Sequence, residues 1–155
     1  MQPIAEFSLK PIAGPLAQSA LLWRGDPVRL VVDGLELEQQ FGLETGYLLL
    51  LTENCPYEEG LHIYLLDADR RMRDAIALGA PYAPALLHTI QSHEPAALTF
   101  SFFGNDQWRL TVRAMPRFDW KAAFCSPVMF KSGRWGRHWL DLRCIPATTT
   151  AAPSP

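Results

Sequence analysis

"VRLVVDGLELEQQF", residues 28–41, sets an Asp33-Gly34 pair between two runs in which apolar and polar side chains alternate. A two-residue hairpin turn requires positive φ at its central positions, which Asp-Gly supplies. The register that follows pairs Val32 with Leu35, Leu30 with Leu37 and Arg29 with Glu38. Apolar residues then share one face and opposite charges meet on the other. The stretch predicts a β-hairpin, and with it an antiparallel architecture.

The same signals recur on both sides. YLLLLTE (47–53) and LHIYLLD (61–67) are short and apolar without alternation, which suits buried strands, and the loop NCPYEEG between them suggests an antiparallel pair. LTFSFFGNDQWRLTV (98–112) predicts a third hairpin. A three-residue loop at Gly104-Asn105-Asp106 pairs Phe102 with Trp108, Phe100 with Leu110 and Leu98 with Val112. A last strand is expected from Arg137 to Ile145. DADRRMRDAIALG (67–79) reads as a turn and strand despite Asp74 on its apolar face, with a helix capped by Asp69 as the alternative. ALLHTIQ (85–91) fits strand or helix, and Asp119 is a candidate cap for a helical turn at 120–124. Residues 1–27 carry four prolines and read as an arm anchored by Phe7, Leu9 and Trp23. PATTTAAPSP at the end has nothing large to bury and predicts a flexible tail over 147–155. The fold expectation is mainly β: one domain over 1–146, an antiparallel β-sandwich or partly open barrel with one or two short helices, α+β being the alternative.

With 155 residues, 48% of them hydrophobic, the chain is long enough to bury a core without a staple. Cys55, Cys125 and Cys144 are widely spaced and odd in number, a pattern of reduced thiols. The N-terminus lacks a signal-peptide pattern, and no apolar run approaches a membrane span. A cytoplasmic protein without membrane association is expected. The net charge of −2 hides an asymmetry: residues 1–108 carry 6 basic and 14 acidic side chains, residues 109–155 carry 8 and 2. Attraction between the two parts within one fold is the first explanation, and an anion-binding segment the second.

Catalytic motifs are missing from the chain: it has no P-loop, dinucleotide glycine pattern, His-Glu-x-x-His or Gly-x-Ser-x-Gly. His88 and His93 are five apart, and no His or Cys pair has metal-ligand spacing, so no metal and no cofactor are expected. His62 reads as a core histidine with one hydrogen bond, and Cys144 as a buried small hydrophobe. Glu36 and Glu38, with Arg29 opposite, read as a solvated, salt-bridged strand face, and nothing in the sequence predicts their burial.

KSGRWGRHWLDLRC (131–144) is the remaining candidate. In a strand over 137–145, His138, Leu140, Leu142 and Cys144 face inward, while Arg137, Trp139, Asp141 and Arg143 face out. Gly133 and Gly136 flank Arg134 and Trp135 as a presenting loop. Arg134, Trp135, Arg137 and Trp139 are thus the predicted binding surface. Protein recognition ranks first, internal salt bridging second and single-stranded nucleic acid third. The expected function is a non-catalytic interaction or accessory module whose partner is another protein or a second copy of the chain. The alternative is a ligand-binding barrel or small enzyme with a pocket of His62, Tyr64, Phe102 and Trp108.

Overall fold

The computed structural model describes residues 1–55, 59–80, 84–104, 106–118, 127–131 and 136–145. The predicted helical turn at 120–124, the residues Arg134 and Trp135, and the tail 147–155 lie outside them. The described residues form thirteen strands: β1 (Gln2–Pro3), β2 (Phe7–Pro11), β3 (Gln18–Trp23), β4 (Asp26–Asp33), β5 (Glu36–Leu43), β6 (Gly46–Thr52), β7 (Leu61–Asp67), β8 (Met72–Leu78), β9 (His88–His93), β10 (Ala97–Ser101), β11 (Gln107–Phe118), β12 (Val128–Phe130) and β13 (Arg137–Ile145). No helix occurs among them. Residues 72–78 and 88–93, read two ways in the sequence, are strands.

The strands make three antiparallel sheets, none closed into a barrel, so the fold is a β-sandwich. A six-stranded sheet, β1-β5-β6-β7-β8-β12, is the middle layer. The four-stranded sheet β13-β11-β10-β9 covers one face and the three-stranded sheet β2-β3-β4 the other. Alternate residues of the middle strands divide between two cores. Leu48, Leu50, Leu61, Ile63 and Leu65 pack with Leu98, Phe100, Trp108, Leu110 and Leu140. Leu49, Leu51, Tyr64 and Leu66 pack with Phe7, Leu21 and Val32. This is why 47–53 and 61–67 are apolar without alternation: both faces of β6 and β7 leave water. Each fully buried leucine there contributes roughly 1.5–3 kcal/mol.

The Asp33-Gly34 hairpin does not form. β4 pairs with β3 and β5 pairs with β6, in different sheets. Gly34 is the crossing point. Its amide donates to the Ala17 carbonyl at 2.7 Å and its carbonyl accepts the Ser19 hydroxyl at 2.8 Å, while the Leu35 amide donates to the Thr52 carbonyl at 2.8 Å. The backbone on either side is therefore satisfied by a different sheet. Gly34 does have positive φ, +121°, as the turn reading required, but an added Cβ would lie 2.8 Å from the Leu51 Cβ.

The third hairpin forms with its register moved by two. Phe100 pairs with Trp108 and Leu98 with Leu110, and the strands end at Ser101 and Gln107. Phe102 leaves the ladder because its carbonyl accepts the Leu86 amide at 3.1 Å and its ring packs edge-on against Phe103. A shift of two preserves side-chain parity, so the predicted inward set stays inward.

Candidate functional site

The end of the four-stranded sheet is built around a break. β11 and β13 pair from Gln107↔Ile145 to Val112↔Leu140, and then again at Arg117↔His138 and Phe118↔Arg137. Residues 113–116 of β11 bulge away between these stretches, where Pro116 has no amide to give. Asp74, fully buried on β8, fills the break. One carboxylate oxygen accepts the amides of Trp139 and Leu140 at 2.7 and 2.9 Å, and the other lies 3.3 Å from His138 Nδ1. The acid that spoiled the apolar face of 72–78 thus locks β13 to the middle sheet. His138, also buried, stacks against Phe130 with ring centroids 3.9 Å apart.

Beyond the break the two strands present an open surface. Met115 and Phe118 on β11 are 78% and 57% exposed. Arg137 stands directly across from Phe118, and Arg117, across from His138, projects from the other side of β11; both arginines are exposed. Trp139, the other described member of the predicted surface, is half-buried beneath Arg73, whose guanidinium carbon lies 3.8 Å from its ring centroid. The structure thus keeps Arg137 on the surface, holds Trp139 in a cation–π contact, and adds Met115, Arg117 and Phe118. These three lie in RAMPRF (113–118), where Pro116 interrupts any strand pattern in the sequence. Its signal was two large apolar residues flanking Pro116 and Arg117 with no alternation to bury them.

Farther along the same sheet, Asp141 accepts from Arg113 at 2.9 Å and Arg143 at 3.0 Å. Burial pushes its carboxyl up, but these two guanidiniums outweigh it and hold the group below its ordinary range. Internal salt bridging therefore accounts for part of the basic C-terminal segment. Cys144, expected to be buried, is exposed, because it sits near the end of an edge strand. Partial desolvation and Asp106 push its thiol up, which keeps it protonated and a poor nucleophile. Cys55 is also free and exposed.

The alternative pocket is not assembled. Tyr64 belongs to the core under the three-stranded sheet, and His62, two residues earlier on β7, shares its face; Phe102 and Trp108 lie in the core on the other side. Alternation along β7 separates the pairs by the thickness of the middle sheet. His62 Nε2 meets Glu53 Oε1 at 2.7 Å, the single hydrogen bond expected of it. Burial first, and the Lys131 charge second, push its pKa down. Tyr64 Oη accepts the Asp33 amide at 2.8 Å and lies 3.3 Å from Lys131 Nζ, which also pairs with Asp33. Burial pushes the phenol up, so it keeps its proton. Lys131, just after β12, thereby ties the middle sheet to the end of β4.

Phe102 instead borders a cleft of about 520 Å³ with Leu86, His88, Glu36, Glu38 and Glu59. Its carboxylates are occupied from within: Glu38 accepts from Thr52, Glu36 from Asn54, and Glu59 from the amides of residues 53 and 55. No three His, Cys, Asp or Glu side chains among the described residues form a metal-holding group. No helix long and apolar enough to cross a membrane occurs among the described residues.

Comparison with family models, with curated proteins and with solved structures found no match.

Proposed function

We propose that the chain is a non-catalytic binding module that recognises an acidic protein partner through the open end of β11 and β13. The observation that carries this reading is the exposure of Phe118 directly across from exposed Arg137 on two paired strands, with Met115 and Arg117 exposed on the same segment of β11. Aromatic, Met and Arg side chains are the types enriched at protein interfaces, and large apolar side chains grouped on a surface mark contact sites. The Asp74 clasp supports the same reading, because a rigid support lowers the ordering cost of binding. Arg117 and Arg137 favour an acidic partner surface.

The test compares the wild-type chain with Phe118→Ser combined with Arg137→Glu. A protein captured from extract by the wild type is purified and its affinity measured for both chains. Recovery by the wild type, with a loss of tenfold or more in the variant at equal thermal stability, supports the proposal. Equal affinity for both chains overturns it. Binding to single-stranded oligonucleotides that falls steeply with salt would replace the protein partner with nucleic acid.

A further inference from the structure

A second cleft lies where the β3–β4 turn meets the β7–β8 turn. These turns enclose a cleft of about 490 Å³. We infer that Arg29, Arg70 and Arg71 form a binding site there for the phosphate group of a small phosphate monoester.

The turn that carries two of the arginines is fixed from within. The Asp67 carbonyl accepts the Arg70 amide, the Asp67 amide donates to the Arg71 carbonyl, and the Asp67 side chain accepts the Arg71 amide, each at 2.9 Å. Arg70 is held at φ +64°, a conformation that L side chains adopt at a cost. It lays the guanidinium 4.4 Å from the ring centroid of Trp23, which borders the cleft. The rotamer freedom that arginine loses on gripping an anion is therefore partly lost before the anion arrives.

The charge is left available. Glu6 is occupied, one oxygen with Arg24 at 2.6 Å and the other with the Trp23 indole N–H at 3.0 Å. Asp26 and Asp69 also line the cleft, yet neither comes within ion-pair distance of Arg29, Arg70 or Arg71. Guanidinium forks match the paired oxygens of a phosphate group. Val28, Leu30 and Met72 supply an apolar wall for the organic part of the ester. The neighbouring acids make the site weaker than three arginines alone would be, and this gives the proposal a signed test.

The probes are phenyl phosphate, inorganic phosphate and phenylsulfonate, titrated into the full chain while the arginine Nε–H resonances are followed by NMR. Saturable shifts at Arg29, Arg70 and Arg71 are expected, with phenyl phosphate tighter than either other probe. Arg29→Gln with Arg71→Gln should weaken phenyl phosphate tenfold or more, Asp69→Asn should strengthen it, and Arg109→Gln on the four-stranded sheet should leave it unchanged. A melt of each variant confirms folding. Non-saturable shifts, shifts spread evenly over all arginines, equal affinity in the double variant, or weaker binding by Asp69→Asn would overturn the assignment.

Discussion

Asp74, itself fully buried, accepts the backbone amide of half-buried Trp139 at 2.7 Å across 65 positions of sequence. Removing the carboxylate strands this amide, that of Leu140 and that of Ala75, which the same side chain accepts at 2.9 Å. An orphaned buried donor costs about 1–3 kcal/mol, so Asp74→Ala should cost about 3–5 kcal/mol in an equilibrium melt. Asp74→Asn keeps one acceptor oxygen and should cost less. Hydrogen exchange should show protection lost first at residues 139 and 140. Intact protection there in Asp74→Ala would mean that β13 is held by something else.

Gly46 sits in the tightest surroundings of any glycine among the described residues. Its φ is +151°, and an added Cβ would lie 1.9 Å from the Leu66 carbonyl oxygen on the neighbouring strand. Backbone cannot step aside as a side chain does. Gly46→Ala should therefore cost about 3 kcal/mol or more, against a negligible change for Gly14→Ala, where nothing lies within reach. Similar melting midpoints for the two variants would contradict the close approach.

These two residues show what the sequence makes legible. The apolar runs at 47–53 and 61–67 announced strands because a residue type that fills both faces can only be covered twice. The final strand was legible from its alternation: His138 and Leu140 are buried and Leu142 is half-buried, while Cys144, read as inward, is exposed near the strand end. Gly34 was misread for a physical reason. A glycine with positive φ between alternating runs serves a hairpin turn and a crossing between sheets equally well. Only distant partners, Ala17 and Thr52, distinguish the two. Asp74 was visible as an anomaly, but the amides it satisfies lie 65 and 66 positions away. The pocket of His62, Tyr64, Phe102 and Trp108 failed because no local pattern says which face of a two-sided apolar strand meets which layer.

The open end of β11 should be dispensable for folding. Met115 and Phe118 bury little, so Met115→Ser with Phe118→Ser should change stability by less than about 1 kcal/mol while reducing self-association at high concentration. Light scattering and a melt on the same samples check both halves. A large fall in stability would show that these side chains belong to the core.

Acid should weaken the fold in two stages, and the first belongs to His62. Burial and the nearby Lys131 charge depress its folded pKa below the ordinary 6.5, against the opposing pull of Glu53 and Asp33. The folded state therefore binds fewer protons than the unfolded chain in that window. Stability is fully present above about pH 6.5 and is lost as pH falls through the folded pKa. Asp33 is also low: burial raises it, but Lys131 and Gln18 outweigh burial. Its contribution is present above the ordinary 3.8 and disappears only at lower pH, as does that of Asp141. Melting midpoints measured from pH 7.5 down to pH 3, roughly the span over which these groups titrate, should show an initial decline below pH 6.5 and a steeper one below pH 4. His62→Gln, which keeps a polar group beside Glu53 but cannot take up the proton, should remove the first decline and leave the second. An unchanged first decline in that variant would assign it to another group and would sever the link between the buried histidine and the Lys131 brace.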